Sequence, residues 1–121
     1  MSTILYVEDH PPARMLMAAI IDELTPYTLI TAADGAEARA QAEAHHPDLY
    51  LLDLDLPDTD GATLAATLRI IHRAPVLFVS AYAESVRPEQ IAGEDIAGYL
   101  AKPLDPDHVA AVLQHALSRR G

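Results

Sequence analysis

The sequence predicts an α/β protein, a parallel sheet of five strands with helices packed on both faces. Three observations carry that prediction. Short runs such as Ile4-Leu5-Tyr6-Val7, Leu49-Tyr50-Leu51-Leu52 and Val76-Leu77-Phe78-Val79 are apolar without interruption, as strands covered on both sides must be. Between the runs lie stretches with helical spacing, so strand and helix alternate along the chain, the pattern of right-handed βαβ crossovers. Each of several apolar runs also ends abruptly on a polar or charged residue.

The elements follow in order. Ile4 to Val7 forms the first strand and stops at Glu8-Asp9. Pro11 and Pro12 are tolerated only in a first helical turn, and Leu16, Ile20 and Leu24 then recur at helical spacing until Pro26. Tyr27 to Thr31 reads as the second strand. Asp34 is placed to cap a helix that begins Gly35-Ala36-Glu37, runs to His45-His46 and is stopped by Pro47. Leu49 to Asp53 is the strongest strand and breaks at Pro57-Asp58-Thr59-Asp60-Gly61, a cluster of turn residues. A helix from about Ala62 to His72 carries Leu64, Leu68 and Ile71 on one side. Val76 to Val79 and Ile96 to Leu100 are the fourth and fifth strands. Between them, Pro88 and Gly93 interrupt the span from Glu84 to Glu94, which predicts a fourth helix that is short or irregular. Asp105-Pro106 supplies an N-cap and a first-turn proline for a last helix bearing Val109, Val112, Leu113 and Leu117.

A length of 121 residues accommodates one domain with a real core, and an apolar share of 50% is enough to fill it. The net charge of −10 repels phosphate backbones and anionic membranes; Arg119-Arg120 is too small a basic patch to reverse that. Neither direct nucleic-acid binding nor membrane association is expected. The absence of cysteine excludes disulfides and thiolate metal sites. With no basic leader and no run of about 18 apolar residues, the expectation is a soluble, cytoplasmic protein. The six histidines show no two-ligand helical spacing beside a carboxylate and read as solvated side chains.

The polar residues that close the strands matter most. Glu8-Asp9, Asp53, Ser80 and Lys102 are far apart in order, yet a parallel sheet gathers the carboxyl ends of its strands at one edge. Three carboxylates in one crevice repel one another unless a cation makes full ionisation favourable, and a hard, all-oxygen site suits Mg²⁺. One carboxylate is left to attack, and a hydroxyl and an ammonium to receive a phosphoryl group.

Val7-Glu8-Asp9, Leu51 to Pro57 with Asp60-Gly61, Val79-Ser80-Ala81-Tyr82 and Tyr99-Leu100-Ala101-Lys102-Pro103 together resemble the receiver domain of two-component response regulators, across essentially residues 1–121 and of single-domain type. The resemblance implies a flavodoxin-like, doubly wound sheet of order 2-1-3-4-5. It implies that Asp53 is the phospho-acceptor and that Glu8, Asp9, Asp53 and the backbone carbonyl of Asp55 hold Mg²⁺. Ser80 and Lys102 become the phosphoryl-binding hydroxyl and lysine, Tyr99 an aromatic switch, and Lys102–Pro103 a cis bond. The first acid is Glu where these domains more often carry Asp, which lengthens its reach. The implied function is phosphorelay signalling, not turnover of a substrate. A sensor histidine kinase or histidine phosphotransfer protein would supply the phosphoryl group, and an unknown downstream protein would read the result. A monomer or weak dimer is expected.

Two other readings fit part of the pattern. Asp53-Leu54-Asp55 also resembles the nucleophile motif of haloacid-dehalogenase-type phosphatases, in which the first Asp attacks and the second acts as general acid. There, however, the nucleophile strand comes near the N-terminus and the metal-binding acids follow the lysine, whereas Glu8-Asp9 precede it here. A pseudo-receiver would keep the fold as an interaction module without being phosphorylated, and the presence of all five site residues argues against it.

Overall fold

The computed structural model describes residues 2–54, 56–80 and 96–118. Five strands, β1 (Thr3–Val7), β2 (Thr28–Ala32), β3 (Leu49–Asp53), β4 (Val76–Ser80) and β5 (Ile96–Ala101), form one sheet of order β2-β1-β3-β4-β5. Every pairing is parallel. Helices α1 (Pro11–Leu24), α2 (Gly35–His45), α3 (Gly61–Ile71) and α4 (Pro106–Ser118) complete the described elements. The segment from Glu84 to Glu94, expected to hold a short or irregular fourth helix, lies outside the described residues.

The pleat sorts the strand side chains into two apolar layers. On one face Ile4, Tyr6, Leu49, Leu51, Leu77, Val79 and Leu100 pack with Met17, Ile20 and Ile21 of α1 and with Val109 and Leu113 of α4. On the other, Leu5, Val7, Tyr50, Leu52, Val76 and Phe78 pack with Ala38 and Ala42 of α2 and with Leu64 and Leu68 of α3. β1, β3 and β4 are buried along nearly their whole length, as their unbroken apolar runs require.

Caps set the helix boundaries. Asp34 accepts the Glu37 N–H at 2.8 Å to open α2. Asp60 opens α3 by accepting the Thr63 N–H at 2.7 Å and the Thr63 hydroxyl at 2.9 Å. α1 has no side-chain cap; Pro11 and Pro12 remove two of the donors that a cap would otherwise have to satisfy. The inward face of α1 differs from the expectation. Of the stripe read from the sequence Ile20 is buried, but Leu16 and Leu24 stand 43% and 45% exposed, and Met17 and Ile21 complete the buried face with Ile20. The i, i+3, i+4 set of a long thioether and two β-branched residues meets the sheet squarely, while the Leu16 stripe runs beside it.

In β5 the register skips a residue between the Val76–Ile96 and Leu77–Gly98 pairs. Gly98 lies just past the skip with φ at 145°, a conformation open mainly to glycine. β2 forms one border of the sheet, and there Gln41 of α2 donates its side-chain amide to the Thr31 carbonyl at 3.3 Å. No helix among the described residues is long and apolar enough to cross a membrane.

Candidate functional site

The sheet brings the strand-end residues together as its topology dictates. β1 and β3 are neighbours at the centre, with Tyr6 opposite Leu51 and Val7 opposite Leu52, so Glu8 and Asp53 emerge side by side. The Glu8 N–H is held by the Ala32 carbonyl at 2.9 Å. The guanidinium of Arg14, one turn into α1, donates to the Glu8 carbonyl at 2.6 Å. Glu8, Asp9 and Asp53 each present a carboxylate oxygen within 4.8 Å of the others. Glu8 and Asp53 are buried, whereas Asp9 is exposed, so the cluster opens to solvent on the Asp9 side.

Lys102 reaches this cluster from the end of β5. Its N–H donates to the Ser80 carbonyl at 3.0 Å, and the Lys102–Pro103 bond is cis. The ammonium lies 2.6 Å from Glu8 Oε1 and 3.4 Å from Asp53 Oδ2. The extra methylene of Glu8 therefore carries its carboxylate to the lysine, a use of its length that the sequence did not reveal.

The electrostatics follow from burial. The Glu8 carboxyl is raised to about 7, first by loss of water and next by its contact with Asp53, with Lys102 opposing both. Lys102 is held above its ordinary value because the attraction of Glu8 and Asp53 outweighs burial, which alone would lower it. Beneath the cluster, on the same face of β1, the Tyr6 hydroxyl is fully buried with no hydrogen-bond partner among the described residues. Its proton is held far above the usual range by burial, then by the negative charges of Glu8 and Asp53.

Ser80 closes β4 and is buried. Tyr99 sits in β5 opposite Phe78, with the two rings stacked at 5.8 Å. By the two-residue alternation of the strands, Glu8, Asp53 and Lys102 continue the α1/α4 face, while Ser80 and Tyr99 continue the α2/α3 face. Asp55, expected to offer a backbone carbonyl, lies outside the described residues. Asp58 and Asp60, which the sequence suggested were ordinary turn acids, instead bind the first N–H groups of helices, Asp58 those of α2 and Asp60 that of α3.

The donor set fits a hard divalent cation. It is all oxygen, it is anionic, and Glu8 Oε2 is a buried carboxylate atom that no donor among the described residues reaches. Such an atom is costly unless a positive partner approaches it.

Comparison with known proteins agrees with this fold. The family model described as the response regulator receiver domain matches residues 4–114. The transcriptional regulatory protein KdpE of Mycobacterium tuberculosis is 35% identical over 121 residues, covering 98% of this chain and 52% of that protein. This chain spans about half the length of the curated relatives it matches. The N-terminal domain of a response regulator/sensory box/GGDEF protein from Carboxydothermus hydrogenoformans superposes with a TM-score of 0.87 at 28% identity, covering 98% of this chain and 96% of that one. The chemotaxis protein CheY4 of Vibrio cholerae gives 0.83 at 25% identity, covering 97% and 99%.

Proposed function

Since the chain belongs to the response regulator receiver domain family, a family of signalling phosphoacceptor domains, we propose that Asp53 accepts a phosphoryl group from a phosphohistidine donor in a cytoplasmic phosphorelay. The observation that carries this reading is the convergence of three carboxylates and one ammonium at one edge of the sheet, with Lys102 Nζ 3.4 Å from Asp53 Oδ2. An Asp53 oxygen attacks phosphorus, the phosphorus–nitrogen bond breaks, the imidazole departs with the electron pair, and an acyl phosphate remains.

Glu8, Asp9, Asp53 and the Asp55 carbonyl would hold Mg²⁺, which when bound neutralises charge on the phosphoryl oxygens. The chain's own residues do the rest. Lys102 bridges Glu8 and Asp53 before transfer. Once the acyl phosphate adds negative charge beside it, the ammonium is drawn from Glu8 toward that group; a unit-charge contact at 3.4 Å is worth roughly 5 kcal/mol at an effective dielectric near 20, before desolvation. Ser80, one residue past the strand partner of Asp53, supplies a hydroxyl to the phosphoryl oxygens. Tyr99, stacked on Phe78, is the aromatic whose rotamer reports that shift. A sensor histidine kinase or phosphotransfer protein is the donor, and a protein partner reads the altered surface.

The test is incubation with acetyl phosphate, or with beryllofluoride as a stable mimic, in the presence of Mg²⁺, with Asp53→Asn as control. Stoichiometric, Asp53-dependent modification supports the proposal. Rapid continuous release of phosphate would make the protein a phosphatase. No modification would leave a fold used only for protein interaction.

A further inference from the structure

The loop that leaves Asp53 is tied to a helix that contributes nothing to the carboxylate cluster. Asp58, in the connection between β3 and α3, accepts the backbone N–H of Gly35 at 2.9 Å through one oxygen and that of Ala36 at 3.2 Å through the other. These are two of the first N–H groups of α2, left without partners inside the helix. Asp34, the local cap, takes the Glu37 N–H instead, so the two acids divide the donors between them.

A second observation shows that the approach is close. A Cβ added at Gly35 would lie 2.9 Å from Thr59 Cγ2 and 3.2 Å from both Asp58 oxygens. Glycine at the first position of α2 is what lets the loop come this near. The other end of the loop is pinned as tightly. Gly61 donates its N–H to the Leu54 carbonyl at 3.2 Å, and a Cβ there would lie 2.9 Å from the Asp53 carbonyl oxygen. The Asp58 carboxyl is held below its ordinary range chiefly by the Gly35 N–H, as expected of a carboxylate that accepts backbone donors at a helix start.

We propose that Asp58 is a positioning residue for phosphoryl acceptance: by clasping the α2 N-terminus it fixes the loop behind Asp53 and couples that helix end to the state of the acceptor. The inference rests on the phosphoacceptor reading of Asp53 and adds a residue and a helix to it. Asp58 is exposed and lies outside the carboxylate cluster, so it acts through the backbone it holds. A misplaced acceptor loop costs rate and affinity even when every reacting group is present.

The experiment compares wild type, Asp58→Ala, Asp58→Asn and Asp34→Ala, each confirmed folded by circular dichroism. The readouts are Mg²⁺ affinity, the rate of Asp53 modification by acetyl phosphate, and the amide resonances of Gly35 and Ala36 before and after Mg²⁺ with beryllofluoride. In wild type both amides should shift when the mimic binds. In Asp58→Ala they should stop responding, with Mg²⁺ affinity and modification rate each falling about fivefold to tenfold. Asp58→Asn retains one acceptor and should recover part of each loss. Asp34→Ala weakens the same helix end without touching the loop and should keep the wild-type site. The inference is overturned if Asp58→Ala stays within about twofold of wild type, or if Asp34→Ala loses as much, since the effect would then be helix stability alone. Absence of any Asp53 modification in wild type would overturn the underlying phosphoacceptor reading, and this inference with it.

Discussion

Replacing Glu8 with glutamine isolates the cost of the acidic cluster. Glu8 has no solvent exposure and its carboxyl is raised from an ordinary 4.5 to about 7, by burial first and by Asp53 next. One pKa unit corresponds to about 1.4 kcal/mol, so ionising this group in the folded protein costs at most about 3.5 kcal/mol more than in the unfolded chain. Lys102, whose side chain is 26% exposed, admits water to the pair and screens it, which brings the expected figure to about 1–3 kcal/mol. For an acid raised in the folded state, the favourable contribution is complete below the unfolded value and disappears as pH rises through the folded one. The metal-free protein should therefore lose about 1–3 kcal/mol of stability from this group between about pH 4.5 and pH 8. Asp58 and Asp60 are lowered and Lys102 is raised, so all three titrate outside that window, and the histidines are common to both proteins. Urea unfolding at about pH 5 and pH 8 measures the difference. Glu8→Gln should flatten the slope, and Mg²⁺ should flatten it in wild type by binding the ionised form. Equal slopes in the two metal-free proteins would refute the reasoning.

Three further outcomes are expected. Tyr6→Phe deletes a buried hydroxyl that has no partner among the described residues and should raise stability by about 1 kcal/mol in urea unfolding, since the exchange removes, without opening a cavity, a buried donor that none of them meets. Gly61→Ala drives a Cβ to 2.9 Å from the Asp53 carbonyl oxygen and 3.1 Å from Leu54 Cα; it should cost about 1–3 kcal/mol and weaken Mg²⁺ binding together, because backbone must move. Asp60→Ala removes the cap of α3 and should cost about 1 kcal/mol at neutral pH. Because the Asp60 carboxyl is lowered mainly by the Thr63 N–H, that cost should shrink as pH falls through the carboxylate range.

The parallel sheet and the convergence of Glu8, Asp9, Asp53 and Lys102 were legible because short apolar runs and their polar ends are local signals, whereas the strand order came from the family resemblance. The inward face of α1 was not. Leu16, Ile20, Leu24 and Met17, Ile20, Ile21 are both helical stripes, and only the angle at which the helix meets the sheet selects between them. The Lys102–Glu8 pairing depends on side-chain reach across 94 positions. The clasp of Asp58 on α2 joins it to residues 23 and 22 positions away, and an acid in a Pro-Asp-Thr-Asp-Gly turn carries no mark of which helix it will serve. Tyr6 looked like strand filler, and its hydroxyl, without a partner among the described residues, is visible only once the layer above it is built.

The pleat has one last consequence. Glu8, Asp53 and Lys102 stand over one hydrophobic layer while Ser80 and Tyr99 stand over the other, with a single thickness of backbone between them. A signal born among the acids need not travel through either oily interior to reach the opposite side. It can pass around the rim, by a few torsions at strand tips, to Tyr99 at the margin of the second layer.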